Sequence, residues 1–157
     1  MIDTMERPET KTVRVAVVDD HESVRLGLRA ACTDAGYEVL GEGATVRDLV
    51  DRIRGHECDV VVLDLSLGDG STITQNVKDI QATGAAVLIH SIADRVAGVR
   101  EALAAGAAGV IPKSAPTQTV LKAIRTVAHG EVLNNLEWAS AIDADSEFAK
   151  AQLGRRE

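Results

Sequence analysis

Aromatic side chains are nearly missing from this chain: its 157 residues include one Trp, one Tyr and one Phe. A core without rings must be built from Val, Leu, Ile and Ala, a composition that suits helices packed on a parallel sheet. Positive charge is also short, with 17 Lys and Arg against 24 Asp and Glu and a net charge of −7. Binding a phosphate backbone needs a basic face, so nucleic acid is excluded as this segment's own ligand. Cys32 and Cys58 form no CxxC pair, and His21, His56, His90 and His129 lack HxxxH-type spacing, which argues against a zinc site. No apolar run approaches the ~18 residues of a membrane span, and the opening MIDTMERPETK is polar from its third residue, unlike a secretory signal. The expected compartment is a reduced cytoplasm.

What the chain does have is alternation. VRVAVVD at 13–19 reads as a strand, followed over 22–35 by a helix with Val24, Leu28, Ala31 and Cys32 on one face. YEVLGEG is a second strand, and Val46, Leu49, Val50 and Ile53 recur at helical spacing behind the N-cap Thr45. DVVVLDL is continuously apolar before a turn-rich sequel, which predicts a central strand buried on both faces. Ile73, Val77 and Ile80 stripe a third helix, AAVLIHS forms a fourth strand, and Val96, Val99 and Leu103 stripe a fourth helix ending at Gly106. AGVIP is a fifth strand that Pro112 confines to an edge or terminates, since proline donates nothing to a ladder. A fifth helix carries Val120, Leu121, Ile124 and Val127 and stops at Gly130. The sum is a (βα)5 α/β domain, and right-handed crossovers place helices on both faces of a doubly wound parallel sheet.

Charged residues sit at or just past the ends of these strands: Asp19 and Asp20 after the first, Asp64 after the third and Lys113 after the fifth. In an open parallel sheet those positions line one crevice, where ligands bind. Two unit charges ~4 Å apart repel by roughly 4 kcal/mol at an effective dielectric near 20, so three carboxylates in one pocket imply a cation. A lone Asp after a strand is ordinarily a loop solubiliser; the constellation is what carries the signal.

An adjacent Asp pair ending the first strand, Asp64 ending the third, Ser91 ending the fourth and Lys113 ending the fifth resemble the receiver domain of bacterial two-component response regulators. The resemblance runs over residues 13–130 through AVVDDHESVRLGL, VVLDLSLGDGST, VLIHSIAD and ALAAGAAGVIPKS, and is greatest to the NarL/FixJ class. It implies a CheY-like, flavodoxin-like sheet in the order 2-1-3-4-5. It further implies Asp64 as phosphoacceptor, Mg²⁺ held by Asp19, Asp20, Asp64 and the Ser66 carbonyl, Ser91 as the hydroxyl that binds the phosphoryl group, and Lys113 as its neutralising charge. A sensor histidine kinase is the implied donor, with acetyl phosphate as a small-molecule substitute. The implied output is switched self-association as a homodimer, through the fourth helix, fifth strand and fifth helix or through the first and fifth helices.

Val110 and Ile92 depart from the family pattern. Relatives often carry an aromatic residue where this chain has Val110, and a small residue where it has Ile92, so an aromatic switch is absent and Ile92 is expected to narrow the approach to Asp64. Ser66 and Ala93 occupy positions that tune dephosphorylation in relatives. His21 is expected to be a surface loop residue and His90 a structural, partly buried one. Gly68 and Gly70 shape the turn after Asp64, since the loop lacks P-loop spacing.

Residues 1–12 read as a disordered tail, and 131–157, with Trp138 and Phe148 as the only large apolar anchors, as a linker or helical extension. The closing AQLGRRE resembles the start of the helix-turn-helix domain that follows receivers of this class, so DNA contact is expected only through an output domain beyond Glu157. A phosphorylation-independent pseudo-receiver acting as an interaction module is the alternative. A dehalogenase-type phosphatase needs DxD at its nucleophile, where Asp64 is followed by Leu65 and Ser66, and a flavin binder needs a Ser/Thr-rich loop and stacking rings that DDHES does not supply. The chain is expected to be no enzyme beyond its own phosphorylation and dephosphorylation.

Overall fold

The structure, a computed structural model, describes residues 11–92 and 95–133. Strands and helices alternate: β1 (Arg14–Val18), α1 (Glu22–Asp34), β2 (Glu38–Gly43), α2 (Val46–Arg52), β3 (Val60–Leu63), α3 (Ile73–Gln81), β4 (Ala86–Ser91), α4 (Val96–Ala104), β5 (Gly109–Pro112) and α5 (Thr117–Ala128). The five strands form one parallel sheet in the order β2-β1-β3-β4-β5. The apolar run of β3 is central and buried throughout, while β5, with its proline, lies at an edge, both as the sequence predicts.

Alternate strand residues serve two cores, because side chains along a strand point to opposite faces. Ala16, Val18, Val61, Leu63, Val87, Ile89 and Val110 pack under Val46 and Leu49 of α2, Val77 and Ile80 of α3, and Val99 and Ala102 of α4. Val15, Val17, Val60, Val62, Leu88 and Ile111 face Leu28 and Cys32 of α1 and Val120, Leu121, Ile124 and Val127 of α5. Helices thus cover both faces, and the aliphatic composition suffices to fill both layers. Thr45 caps α2 as expected, accepting a hydrogen bond from the Asp48 amide at 3.1 Å, and Thr72 caps α3 in the same way from Gln75.

Helix α4 differs from its predicted stripe. Leu103 is 39% exposed, and the buried positions are Val99 and Ala102. The reason is a close approach: a Cβ at Gly98 would lie 3.1 Å from Ile73 Cδ1 and 3.2 Å from Leu65 Cδ1. The face of small residues is the one pressed onto α3 and the loop that follows β3, and the larger Leu103 is turned outward.

The packed structure continues past α5. Gly130, at φ +85, reverses the chain, and the Leu133 amide donates to the Ala108 carbonyl at the start of β5. Leu133 packs on the α1/α5 core, and a Cβ at Gly109 would fall 2.6 to 2.8 Å from three of its side-chain atoms, so glycine is what leaves room for it. Trp138, Phe148 and the closing AQLGRRE, as well as the tail before Lys11, lie outside the described residues.

Candidate functional site

Sheet register assembles the site. Val18 of β1 pairs with Leu63 of β3, and Leu63 with Ile89 of β4, so the residues that follow leave the sheet side by side. The Asp64 amide donates to the Val18 carbonyl at 2.9 Å and the Asp19 amide to the Gly43 carbonyl at 3.1 Å, which fixes both aspartates at the carboxyl edge. At the other side, Ser91 pairs with Pro112, and the Lys113 amide donates to the Ser91 carbonyl at 2.8 Å. Residues 94 positions apart in sequence, from Asp19 to Lys113, therefore meet in one crevice.

The Lys113 ammonium sits between two buried carboxylates, 2.9 Å from Asp19 Oδ2 and 3.3 Å from Asp64 Oδ1. Burial raises the pKa of Asp64, and the Asp19 charge adds to this; Lys113 and a hydrogen bond from the Ser66 backbone pull the other way without cancelling it. Burial works against the Lys113 charge, but its hydrogen bond to Asp19 and the charges of Asp64 and Asp19 outweigh it and leave its pKa raised. One cation thus answers a site of several carboxylates, and it does so only partly: Asp64 is 5% exposed, yet its Oδ2 has no hydrogen-bond partner. A buried carboxylate oxygen without a partner is costly, and it is the kind of acceptor that a hard cation satisfies. One ligand atom from each of Asp19, Asp20, His21 and Asp64 falls within 4.8 Å of the others. Those oxygens fit Mg²⁺.

The other predicted positions fall as follows. Ser91 ends β4 fully buried, with its hydroxyl donating to the Ile92 carbonyl at 3.2 Å. Ser66 is exposed, and its hydroxyl accepts from the Arg95 guanidinium at 3.1 Å across the mouth of the crevice. Val110 is a core residue under the α2/α3/α4 layer, and Ile92 is 46% exposed. Ala93 lies outside the described residues. Gly68 and Gly70 take positive φ values, 72° and 82°, and turn the loop over the acid pair, with the Cβ position of Gly68 3.6 Å from Asp20 Oδ2.

Two histidines flank this centre. His90, next to Ser91, is buried with its Nδ1 unpartnered; burial first, and then the Lys113 charge, push its pKa down to about 4 against an opposing pull from Asp19. His21 is exposed, as expected of a loop residue, but its Nδ1 lies 3.1 Å from an oxygen of Asp19 and 3.1 Å from an oxygen of Asp20. That contact, like the Arg95 bridge, was not foreseen; its only trace in the sequence is that His21 follows the acid pair directly.

Fold and site together define a flavodoxin-like α/β domain with an acid and lysine centre at the crevice of its sheet. Comparison with known proteins is in agreement. A family model for the response regulator receiver domain matches residues 15–125. The nitrate/nitrite response regulator protein NarP of Escherichia coli (strain K12) is 34% identical over 128 residues, which make up 78% of this chain and 58% of NarP. This chain therefore spans less than two thirds of that relative's length. Among solved structures, the signal receiver domain of the response regulator NarL from Mycobacterium tuberculosis matches with a TM-score of 0.68 at 31% identity, over 77% of this chain and 99% of that one. A LuxR-family two-component response regulator from Aurantimonas sp. SI85-9A1 matches with a TM-score of 0.74 at 29% identity, over 87% of this chain and 99% of that one. The chain belongs to the response regulator receiver domain family, in the NarL/LuxR class of two-component regulators.

Proposed function

We propose that this domain is a phosphoacceptor switch in which Asp64 takes a phosphoryl group from the phosphohistidine of a sensor kinase. A carboxylate oxygen of Asp64 attacks phosphorus, the N–P bond breaks, and the departing imidazole nitrogen takes a proton, leaving an acyl phosphate on Asp64. The observation that carries this reading is the Asp64 carboxylate, buried at the end of β3 with one oxygen facing the Lys113 ammonium at 3.3 Å and the other unpartnered. Asp19, Asp20, Asp64 and the Ser66 carbonyl would hold Mg²⁺, which would supply charge neutralisation for the incoming phosphoryl oxygens.

The protein's own groups have separable tasks in this reading. Asp64 is the nucleophile, and the pull of Lys113 works against the burial that raises its pKa. Lys113, paired with Asp19 and Asp64, turns its charge to the phosphoryl group as a mobile point charge. Ser91, whose hydroxyl is engaged only with a neighbouring carbonyl, rotates to donate to a phosphoryl oxygen, and that rotation is the switch. With Val110 in the core, the switch is read out without an aromatic rotamer.

Upstream and downstream partners follow from the class: a cognate sensor histidine kinase in the cytoplasm, a homodimer as the activated state, and DNA contacted only through a C-terminal output domain for transcriptional control. The domain turns over no substrate other than its own phosphoryl group. Intact mass after acetyl phosphate and Mg²⁺ treatment tests the core of this reading. A gain of one phosphoryl group in the wild type and none in Asp64→Asn is expected; no gain in either, together with no beryllofluoride binding, refutes it and leaves a phosphorylation-independent interaction module.

A further inference from the structure

The mouth of the crevice is crossed by a side chain that the phosphoacceptor reading leaves without a task. Arg95 opens α4, and its guanidinium donates to the Ser66 hydroxyl at 3.1 Å, so the loop after β4 is tied to the loop after β3. Both residues of this bridge are also bound to the centre beneath it. The Ser66 amide donates to the Asp64 carboxylate, two residues back. The Arg95 amide donates to the Ile92 carbonyl at 3.3 Å, and that same carbonyl accepts the Ser91 hydroxyl at 3.2 Å. Rotation of the Ser91 hydroxyl therefore removes one of two donors from the carbonyl that holds the turn into α4, and Arg95 reaches out from that turn.

Charge indicates what the guanidinium is for. Before phosphorylation, the carboxylates of Asp19, Asp20 and Asp64 carry three negative charges, which Lys113 and a divalent cation would balance. An acyl phosphate on Asp64 replaces one negative charge by nearly two, so the same cations fall short by about one. Arg25 also reaches the acid pair, donating to the Asp19 carbonyl at 2.7 Å, but its guanidinium is paired with Glu42 at 3.0 Å. At Ser66 the Arg95 guanidinium meets a neutral, exposed hydroxyl. A charged phosphoryl oxygen is a stronger acceptor for a guanidinium than a hydroxyl is, and it offers the planar fork a second bond.

We propose that Arg95 is a second cationic residue for the phosphoryl group, exchanging the Ser66 hydroxyl for a phosphoryl oxygen once Asp64 is modified and drawing the start of α4 over the crevice. This deepens the phosphoacceptor reading and rests on it. Lys113 serves the group from the buried side and Arg95 from the exposed one. The Ser91 rotation and the Arg95 exchange become a single event, because both act on the Ile92 carbonyl.

Beryllofluoride, a stable mimic of the phosphoryl group, tests this on the whole chain. With MgCl₂ present, Arg95→Gln is expected to weaken beryllofluoride binding about tenfold, the worth of one hydrogen bond between charged groups. Arg95→Lys is expected to recover part of that loss, and Arg100→Gln, which removes an exposed charge from the same helix, to leave binding unchanged. Fluorine-19 NMR of the bound complex is expected to show one of the three fluorine resonances displaced in Arg95→Gln and the other two kept. Mg²⁺ affinity measured without beryllofluoride is expected to be the same in Arg95→Gln and the wild type. An equal loss in Arg100→Gln, a matching loss of Mg²⁺ affinity, or fluorine resonances that coincide with those of the wild type overturns the proposal. Wild-type binding that Arg95→Gln leaves untouched removes this proposal and keeps the phosphoacceptor reading, whereas no binding in the wild type removes both.

Discussion

Replacing His90 with phenylalanine removes the one buried imidazole beside Ser91, and its effect is a matter of pH. In the folded chain His90 titrates at about 4, against 6.5 for an ordinary histidine, because it is buried and then because Lys113 repels its cation. The unfolded chain therefore binds this proton first. Stability is complete above pH 6.5 and falls as the pH drops from there toward 4, by about 3 kcal/mol in all at 1.36 kcal/mol per pKa unit. At pH 5 about 2 kcal/mol of this is already lost. Asp64, whose pKa is raised, shifts stability in the opposite direction at low pH, but it does so in both proteins. Urea unfolding of the wild type and of His90→Phe at steps from pH 7.5 to 4.5 isolates the difference, and any constant offset from packing the larger ring leaves the slope untouched. The wild type is expected to lose about 2 kcal/mol more than the variant between pH 7.5 and pH 5. Parallel curves refute the argument and mean that His90 meets its proton without unfolding cost.

Lys113→Met leaves Asp19 and Asp64 buried without their shared cation, and breaking such a pair costs about 3–5 kcal/mol; chemical denaturation is expected to show this, with added Mg²⁺ stabilising the variant more than the wild type. Gly109→Ala presses its new methyl onto Leu133 and is expected to cost about 1–3 kcal/mol, a loss that shrinks when Leu133→Ala is combined with it, as a double-mutant cycle will register. Tyr37→Phe deletes the buried hydroxyl that donates to the Leu121 carbonyl at 2.8 Å, and thermal unfolding is expected to report a loss of about 1 kcal/mol.

The strands were legible because a sheet covered on both faces needs unbroken apolar runs, and VVVL in β3 or VRVAVV before Asp19 has no other use in a chain this polar elsewhere. Crevice membership was legible for the same reason: once the strands are placed, their ends are placed with them. Leu103 was misassigned because hydrophobicity ranks it above Gly98 and Ala102, whereas the surface of α4 that approaches α3 most closely has space only for small side chains. Contacts made by a turn of backbone were not legible at all. The imidazole of His21 meets the carboxylates because the chain bends between Asp20 and α1, and Arg95 reaches Ser66 from another loop; neither leaves a period or a spacing in the sequence. Leu133 stands beyond the last periodic helix, and nothing local distinguishes it from Val132 beside it, which is 74% exposed.

The seat of Leu133 has a consequence for the sheet as a whole. A strand left unpaired along one side is a template on which a second chain can pair, and β5, at the edge of the sheet, is such a strand. The returning segment takes up the Ala108 carbonyl and shields the glycine beside it, so the domain guards its own free edge with residues that a boundary drawn at Gly130 would discard. A version shortened there would keep every residue of the site and still be open to edge-to-edge association.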